Sequence, residues 1–438
     1  MRKYNFLLGF ILLFILLITP ISIICAQELW VYDPSKNIPK YDSSNREWGV
    51  YSIAMSDDSS HIAVGLYREN AILDDKKNVL MDEQGRLLLD KQSKIVMLDS
   101  KGKELWEFKT QYGIESIRMS SNGEYIVVDT ANDSCFNDFE DCGSKVYVFN
   151  ISGTPLWTYD GARNPYVDSF GNVLIATPNN IAMYNIEKKL VRIYSNDRNY
   201  FWASDNIDLI AIESSEYDEE EMELISSKLE LFDKNGKKLW ERETGPGVND
   251  VKFSDDRNLI VAGAFNEVYF FDRKGNSFKY SPDGYSINSY SMTSDGKYVV
   301  VAGNSYYVNN KFFSQLTLLN QSAEVLWKGN IESRYIYDME ITNDGAYVYL
   351  FMDEGNLIII DARNGEIKNK IENMKLYRPS FSKDKEYVAM GGYKLYLFDT
   401  KNLISYSNTK NVGPSPILYV SLLSIAGILL YYLRNKIQ

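Results

Sequence analysis

Histidine, cysteine and proline are scarce in this sequence of 438 residues, which contains one His, three Cys and 11 Pro. A single His argues against catalysis by an imidazole base paired with a Ser or Cys nucleophile. The sequence also has no Gly-x-Ser-x-Gly elbow, no phosphate-binding Gly-rich loop and no His-Glu-x-x-His pair. These absences lead us to expect a protein that is not an enzyme.

Aromatic residues are abundant instead, with 33 Tyr, 20 Phe and 7 Trp, and 45% of all residues are hydrophobic. Aromatic side chains are typical of β-strands, so the composition favours an all-β globular protein. The length allows two or three average domains or one large repeat fold. This apolar content argues against a disordered chain, whose sequence could not bury enough surface to fold.

The first long uncharged run, residues 6–24, follows Arg2 and Lys3 at the N terminus. A short basic region before an apolar run is typical of a secretory signal peptide, and these 19 residues also nearly span a bilayer as a helix. We therefore predict a cleaved signal peptide or an uncleaved anchor over residues 1–26. Lipidation of Cys25 is an alternative, although the preceding isoleucine is bulkier than the small residue that usually precedes a lipidated cysteine.

A second uncharged run, residues 417–433, is followed by the basic residues Arg434 and Lys436. This order predicts a single transmembrane helix with a cytoplasmic basic tail at 434–438, after a linker at 407–416. The Pro-rich end of the linker also loosely resembles the tails that sorting enzymes cut. The C-terminal end therefore predicts a membrane anchor.

This topology places residues 27–406 outside the cytoplasm, in a single-pass protein of the cell membrane. Setting aside the four basic residues of the two ends leaves 43 of the 47 basic residues against 59 acidic ones, a net charge of −16. Such a charge argues against nucleic acid as a partner. Three candidate N-glycosylation sites are consistent with an external location: Asn132, Asn150 and Asn320.

One short phrase occurs eight times in this region. It begins with a polar residue, usually has Asp or Asn two positions later, often has Gly next, and is followed by an apolar run. Asp, Asn and Gly favour tight turns because they tolerate the left-handed backbone conformation. The apolar runs, such as residues 125–128 and 298–301, predict strands buried on both faces. The third positions of the eight copies are residues 58, 122, 170, 206, 256, 295, 344 and 384.

A second phrase alternates with the first and reads Asp or Asn, two residues, Gly, two residues, Leu-Trp. It occurs at 99–106, 150–157 and 233–240, and at 320–327 with Ala323 in the Gly position. Each unit therefore reads as four short strands, which predicts a blade of a β-propeller. Five of the seven Trp directly follow a Leu: Trp30, Trp106, Trp157, Trp240 and Trp327.

The second phrase resembles the repeat of pyrroloquinoline-quinone-type propellers, and the first resembles the repeat of WD-type surface propellers. The resemblance covers nearly all of residues 28–406 and implies about eight four-stranded blades, with seven as the alternative. It implies that each of the five Trp packs between adjacent blades, near the Gly of a turn. Quinone-dependent dehydrogenases of this fold have adjacent cysteines beside the cofactor, and this chain has no Cys-Cys pair, so we expect no quinone.

The ends of the repeat region predict how the ring closes. Residues 29–32 read as a strand that precedes the first complete blade and has no partner nearby in the sequence. In a closed ring this strand would complete the last blade, formed by residues 376–400, and remove an exposed sheet edge. Residues 403–406 are the competing candidate for the closing strand.

Four blades carry long insertions between their second and third strands, at 66–93, 129–144, 213–227 and 303–313. Propeller geometry places these insertions on one face with the connections between blades, which is the usual ligand face. No EF-hand spacing is present and acidic runs are more often solvated loops, so we expect no cofactor, with Ca²⁺ as the alternative. The candidate Ca²⁺ ligands are Asp133, Asp138, Glu140, Asp141, Asp218, Glu219, Glu220 and Glu221.

Two further residue types have structural interpretations. Cys135 and Cys142 lie in the second insertion, and an exported location favours a disulfide between them, because two thiols are too few for a soft-metal site. His61 occupies the position that Tyr125 and Tyr298 hold in other repeats. We therefore interpret His61 as a strand residue rather than a catalyst.

The leading functional hypothesis is a membrane-anchored, extracytoplasmic β-propeller that binds a protein or an envelope component through its acidic loop face. A rigid wheel with variable loops and no recognisable catalytic set favours this hypothesis. Two alternatives stay open: a quinone- or Ca²⁺-dependent propeller enzyme that uses loop carboxylates, and a structural protein of the cell envelope.

Overall fold

The computed structural model describes residues 28–36, 47–76, 78–85, 88–132, 143–195, 200–218, 223–245, 247–282, 286–303, 306–372 and 376–404. These residues belong to one compact unit, Glu28–Ile404. Strands dominate it, beginning with β1 (Trp30–Tyr32), and the prediction of an all-β protein is confirmed. A single α-helical turn, α1 (Thr400–Leu403), follows the last strand.

The predicted signal peptide or anchor, the linker, the transmembrane helix and the basic tail lie outside the described residues. Within the ranges given above, no helix has the length and apolar character needed to cross a membrane.

The described strands form eight antiparallel sheets, one for each blade of a propeller. Eight blades were predicted, and this number is confirmed. The first four blades each follow chain order. Their strands are β2 (Gly49–Met55), β3 (His61–Ala71), β4 (Leu89–Asp99) and β5 (Glu104–Thr110) in blade 1; β6 (Gly113–Met119), β7 (Tyr125–Ala131), β8 (Ser144–Asn150) and β9 (Pro155–Asp160) in blade 2; β10 (Arg163–Val167), β11 (Val173–Ala176), β12 (Ile181–Tyr184) and β13 (Leu190–Ser195) in blade 3; and β14 (Tyr200–Ala203), β15 (Leu209–Asp218), β16 (Glu223–Asp233) and β17 (Lys238–Thr244) in blade 4.

The remaining four blades keep the same order, except that blade 6 has an additional short strand and blade 8 takes its fourth strand from the other end of the chain. Their strands are β18 (Asp250–Phe253), β19 (Leu259–Gly263), β20 (Val268–Asp272) and β21 (Ser277–Tyr280) in blade 5; β22 (Ile287–Met292), β23 (Tyr298–Gly303), β24 (Tyr306–Val308), β25 (Lys311–Asn320) and β26 (Val325–Glu332) in blade 6; β27 (Ile336–Ile341), β28 (Tyr347–Met352), β29 (Leu357–Asp361) and β30 (Ile367–Ile371) in blade 7; and β31 (Tyr377–Phe381), β32 (Tyr387–Gly391), β33 (Leu395–Asp399) and β1 in blade 8.

Strand β1 closes the ring by pairing antiparallel with β33. Trp30 lies opposite Leu397, and Tyr32 lies opposite Leu395. This closure confirms the assignment of residues 29–32 to the last blade. The competing assignment of 403–406 as the closing strand is wrong, because β1 occupies the fourth-strand position beside β33. Of that segment, Leu403 ends helix α1, whose first turn is capped by the Asp399 carboxylate, and residues 405–406 lie outside the described ranges.

The hydrophobic core lies between the blades rather than in a single central cluster. Clusters of buried side chains each combine two consecutive sheets, as where Val300 of blade 6 meets Met339 and Leu350 of blade 7. Both faces of a central strand are therefore covered, which explains the continuous apolar runs. Ile126, for example, is completely buried in β7.

The turn between the first and second strands, here called the inner turn, explains the first repeated phrase. In blade 2 the buried Ser120 hydroxyl donates to Asn122 Oδ1 at 2.7 Å and accepts the Tyr125 N–H at 3.0 Å. One hydroxyl therefore satisfies a side chain and a backbone donor that would otherwise be unpaired. The same pair of bonds occurs at Thr293, Thr342 and Ser382, and at Ser56 and Ser254.

The turn between the third and fourth strands, here called the outer turn, explains the second phrase. In blade 1 the Asp99 carboxylate accepts the backbone N–H groups of Lys101 and Lys103, each at 2.9 Å. Gly102 between them has φ +76°, a left-handed conformation that favours glycine. The same two acceptor contacts are made by Asn185, Asp233, Asp272 and Asn320.

The alternating strand directions give the propeller two different faces. All inner and outer turns lie on one face, the turn face. The connections between second and third strands and between blades lie on the opposite face, the loop face. First strands of neighbouring blades contact one another, as β2 does with β6 and β31, and therefore line the central channel. Both described ends of the unit, Glu28 and Ile404, lie on the turn face, because β1 leaves from that face and β33 arrives there.

Three of the four predicted insertions continue the blade strands rather than forming separate loops. Strands β3 and β4 stay paired to Ala71 and Leu89, and β15 and β16 stay paired to Asp218 and Glu223. In blade 6, β24 and β25 form a small hairpin. The central part of the insertion at 129–144 lies outside the described residues.

Candidate functional site

β-Bulges mark the loop-face end of the first strand in six of the eight blades. In each, the register between the first and second strands shifts by one residue. A bulge redirects the extra residue and is common next to functional sites. Blades 4 and 5 keep a regular register. The six bulge residues are Tyr51, Glu115, Asn164, Asn288, Tyr337 and Arg378.

Several bulge side chains contact the next blade around the ring. Asn164 donates its amide to the Phe201 carbonyl at 2.9 Å, and Asn288 donates to the Ile336 carbonyl at 2.6 Å. The Arg378 guanidinium lies 4.1 Å from the centre of the Tyr51 ring, in cation–π geometry. The bulges therefore connect blades at the loop-face rim of the channel.

Aromatic and arginine side chains cover the loop face around blades 6, 7, 8 and 1. Tyr337 is 62% exposed and Tyr335 is 46% exposed, and their rings stack with centroids 6.3 Å apart. The Arg334 guanidinium lies 5.7 Å from the Tyr335 ring and 5.5 Å from the Phe312 ring. We name this the tyrosine–arginine surface; it consists of Tyr51, Phe312, Arg334, Tyr335, Tyr337, Tyr377 and Arg378.

A pocket of about 560 Å³ opens within this surface, between blades 7, 8 and 1. Arg378 at its edge has φ +55°, a left-handed conformation that costs energy for a residue other than glycine. Such backbone strain is found at sites where the surrounding structure holds a residue in a defined position. The pocket is lined by Val50, Tyr337, Asp338, Phe351, Met352, Leu376, Tyr377, Arg378 and Pro379.

Asp338 lines both this pocket and a neighbouring cavity of the channel that also includes Lys252, Glu340 and Lys385. Desolvation of its carboxyl raises the pKa of Asp338 to about 6, although Lys252 opposes the shift. Its Oδ1 accepts the Met339 N–H at 2.8 Å. Within the described part of the chain, Asp338 has no ion-pair partner.

The two lysines nearest to this carboxylate are paired with other acids. Lys252 Nζ lies 3.3 Å from Asp250, and Lys385 Nζ lies 2.5 Å from Glu340. Lys385 also donates to the Ile341 carbonyl at 2.8 Å. These contacts fill the middle of the channel with balanced charge.

Lys383 crosses the mouth of the channel on the turn face. Its Nζ lies 3.1 Å from Asp205 and 3.4 Å from Asp57, and all three residues hold the second position of an inner turn. Enclosure in the mouth opposes the charge on Lys383, but the two carboxylates outweigh it and raise its pKa. The second position of the repeated phrase therefore points into the ring.

A buried carboxyl lies on the loop-face side of blade 2. Burial raises the pKa of Asp129 to about 6. Its Oδ2 accepts the Asn164 N–H at 2.9 Å, while Oδ1 has no partner within the described residues. The bulge of blade 3 therefore covers an incompletely satisfied acid.

Most of the predicted Ca²⁺ ligands lie outside the described residues. This is so for Asp133, Asp138, Glu140, Asp141 and residues 219–221, and only the backbone of Asp218 is described. Cys135 and Cys142 are also outside, so the Ca²⁺ site and the disulfide stay predictions. Glu213, in the same acidic stretch, is buried and accepts the Ser227 hydroxyl at 2.8 Å. Among the described side chains, no group of His, Cys, Asp and Glu could hold a metal ion.

The five Leu-Trp tryptophans lie on fourth strands, where they meet the outer turn of the next blade. The Trp30 ring covers Gly102, and its indole N–H donates to the Ser100 carbonyl at 2.8 Å. The Trp106 ring covers Gly153 and donates to the Ile151 carbonyl at 2.8 Å.

The other three tryptophans vary this contact. Trp240 covers Gly275, and Trp327 lies beside Gly365 and donates to the Ala362 carbonyl. Trp157 meets an outer turn without glycine and packs against Tyr184, with ring centroids 6.4 Å apart. Close approach of a ring to the backbone explains the glycine of the repeated phrase.

The candidate glycosylation sites and His61 occupy ordinary positions in the repeat. Asn150 and Asn320 lie in outer turns on the turn face, and Asn132 directly follows β7. His61 begins β3 and pairs with Asp99, as Tyr125 begins β7 and pairs with Asn150. Its Nδ1 contacts the Ser60 hydroxyl at 2.7 Å. Glycosylation itself stays a prediction.

Sequence reasoning missed the tyrosine–arginine surface. Its residues come from blades 6, 7 and 8, which follow one another in the chain, and from blade 1, which joins them only when the ring closes. One local signal was available: Tyr335 and Tyr337 flank the buried Ile336 where the first strand β27 begins, and this alternation marks outward-facing aromatic side chains at the loop-face end.

Comparisons with known proteins identify the fold. No protein-family model matches the chain, and no curated protein matches its sequence. Sqt1 of Chaetomium thermophilum, in a structure bound to the N-terminus of the ribosomal protein L10, superposes with a TM-score of 0.57 at 11% identity, covering 82% of this chain and 98% of that chain. A further Sqt1 structure gives 0.58 at 10% identity over 86% and 98%. The C-terminal WD40 domain of Sif2 gives 0.55 at 10% identity over 86% and 98%. The chain is therefore similar in fold to WD40 β-propellers, as the WD-type part of the resemblance predicted.

Proposed function

We propose that this chain is a non-enzymatic binding module that captures a protein through the tyrosine–arginine surface. The observation that carries the proposal is the exposure of several large aromatic side chains beside Arg334 and Arg378, with a pocket that Tyr337, Tyr377 and Arg378 help to line. Tyr and Arg are enriched in protein interfaces because they contribute large contact areas and polar contacts together. The proposed binding surface is therefore the part of the loop face formed by blades 6, 7, 8 and 1, rather than the whole acidic loop face that the sequence predicts.

The solved structures support the class of partner. Sqt1, a propeller of the same fold, has been crystallised with the N-terminus of another protein. A polypeptide segment is therefore a ligand that this architecture can hold, and an envelope protein is the corresponding partner for an exported chain.

We further propose that the hydrophobic ends attach the propeller to the cell membrane, with the propeller outside the cytoplasm. Both described ends of the propeller leave from the turn face. Within the propeller, these two ends lie on the face opposite to the tyrosine–arginine surface. Protease treatment of intact cells tests this topology: the propeller should be digested, and its survival would contradict an external location.

Capture of a partner tests the binding proposal. Cross-linked complexes are isolated from membranes that contain the full-length protein, either as the wild type or as a double variant with Tyr337→Ala and Tyr377→Ala. We expect this variant to lose the specific partner. Tyr200→Ala is the matched control, because Tyr200 is 69% exposed and begins the first strand of blade 4, which lies opposite blade 8 in the ring. Equal capture by the wild type and the double variant would contradict the proposal.

A further inference from the structure

The pocket in the tyrosine–arginine surface combines aromatic walls with one carboxylate. The exposed Tyr337 and Tyr377 line it together with Phe351, and Asp338 contributes a carboxylate to the same lining. Aromatic faces attract cations through their quadrupole, and a carboxylate beside them adds a direct ion pair. We propose that this pocket binds a basic side chain, lysine or arginine, of the captured polypeptide. The inference rests on the proposed function, since it names the chemistry of the ligand at the same surface.

Asp338 is available for a ligand because the neighbouring cations are engaged elsewhere. Lys252 pairs with Asp250, and Lys385 pairs with Glu340 and with backbone carbonyls. In the described ranges, no basic side chain lies within 4 Å of the Asp338 carboxylate, whereas solvent does reach it. An incoming ammonium or guanidinium group would complete the pairing of this carboxylate.

Arg378 does not fill the same role from within the protein. Its guanidinium lies on the ring of Tyr51, on the blade 1 side of the pocket. The left-handed backbone of Arg378 and the bulge it occupies hold the side chain in this direction. A cation bound at Asp338 would therefore meet the two exposed tyrosines rather than displace Arg378.

Charge complementarity favours a basic ligand over an acidic one. The sequence between the two hydrophobic ends has a net charge of −16, which draws basic segments towards the propeller. A carboxylate of a ligand would instead meet Asp338, with Asp250 and Glu340 close behind it in the channel. The apolar part of the lining, including Val50 and Met352, suits the hydrocarbon stem of a lysine.

Calorimetric titration of the purified full-length protein in detergent micelles tests the inference. The probe is N-acetyl-lysine methylamide, and the matched control is N-acetyl-norleucine methylamide, which has the same stem without the ammonium group. We expect the lysine probe to bind with a Kd on the order of 1 mM, as for a small ligand that makes one ion pair. Equal binding of the norleucine compound would overturn the proposal.

Variants locate the site. Asp338→Asn is expected to weaken the lysine probe at least tenfold, and Tyr337→Ala is a second variant that does not alter the channel. Asp160→Asn is the matched control, because Asp160 is an exposed carboxylate of blade 2 that pairs with Lys145 and is not among the charges that act on Asp338. Unchanged affinity in both Asp338→Asn and Tyr337→Ala would overturn the inference. If the Tyr337→Ala, Tyr377→Ala double variant loses the partner but the wild type does not bind the lysine probe, this inference is rejected and the proposed function stands. If the wild type binds the lysine probe but the double variant still captures the partner, the inference stands and the proposed function is rejected.

Discussion

On the turn face, one set of hydrogen bonds recurs from blade to blade, whereas on the loop face the blades differ in strand length, bulge residue and exposed side chains. Ser120 and Asp99 represent the turn face, because each satisfies several polar groups within a few residues of itself. On the loop face, Asp129 keeps an oxygen that has no partner among the described residues, and Arg378 occupies one of six first-strand bulges whose residues differ from blade to blade.

This difference shows that the sequence of the turn face is constrained by folding, whereas the sequence of the loop face is free to provide a binding surface. The turn face determines how each sheet folds back on itself, so its residues are fixed by local bonding. The loop face has no such common requirement, and it can carry bulges and exposed aromatic groups that a binding surface uses. Substitutions on the turn face should therefore affect stability, and those on the loop face should mainly affect binding.

The largest effect is expected for Gly153→Ala, because a methyl group there would lie 2.5 Å from the Trp106 ring. Gly85 on the loop face has a similar positive φ, but no atom of the described residues lies within 4 Å of its added methyl group. Both variants force alanine into a left-handed conformation at about 1 kcal/mol. We expect a loss of about 2 to 4 kcal/mol for Gly153→Ala and about 1 kcal/mol for Gly85→Ala. Urea unfolding followed by Trp fluorescence measures both, and equal losses would erase the contrast between the faces.

Asp129→Asn should change stability in the opposite direction. The folded pKa of about 6 lies above the unfolded value of 3.8, so the folded state binds this proton more tightly. The stability contribution of Asp129 therefore decreases as the pH rises from about 4 to about 6 and stays low above that range. We expect the variant to raise the free energy of unfolding by about 1 to 3 kcal/mol at pH 8 and to flatten this pH dependence.

Denaturant unfolding at several pH values checks the Asp129 prediction. Glu124→Gln is the control, since it removes an exposed carboxylate of the same blade that is not among the charges acting on Asp129. A destabilised Asp129→Asn variant would show that the charged form is favoured in the folded protein.

Ser120→Ala should cost about 1 to 2 kcal/mol, because it leaves the Tyr125 N–H and Asn122 Oδ1 without their shared partner. The adjacent Ser121→Ala is the control, because its hydroxyl makes no hydrogen bond within the described residues. Thermal unfolding of both variants measures the difference. If the two variants have the same Tm, the repeated hydroxyl is not what stabilises the inner turn.

The smallest effect on stability is expected for Tyr337→Ala, within about 0.5 kcal/mol of the wild type, because its ring is largely exposed. Circular dichroism on heating measures this effect beside the capture experiment. A large loss of stability would mean that the exposed aromatic side chains hold the blades together, and the two faces would then not differ in the way described above.

The repeat, the blade number and the closing strand could be predicted because their causes are local in the sequence. A hydroxyl or carboxylate that bonds the backbone within five residues leaves the same phrase at every copy, and Trp30 carries the Leu-Trp signature of a fourth strand. The extension of β3 and β15 into long hairpins was not predicted, because polar residues within those strands interrupt the apolar pattern.

The candidate site could not be predicted in the same way. Tyr51, Tyr337 and Arg378 meet because bulges redirect single residues and because the ring brings blade 8 beside blade 1. Neither cause produces a periodic pattern. The availability of Asp338 depends in turn on which lysine pairs with which acid inside the channel, and this pairing is a property of the assembled wheel.

The pairing of β1 with β33 also determines the order of events when the chain is made. Trp30 is among the first propeller residues to be synthesised, and its partner Leu397 follows about 370 residues later. At 5 to 20 residues per second the first strand waits roughly 20 to 70 s for its sheet. Throughout that time the nascent wheel has an open edge, which invites pairing with other chains. The pairing of β1 with β33 is therefore the step that removes the open sheet edge and protects the protein from aggregation, and the folding of an earlier blade does not remove that edge.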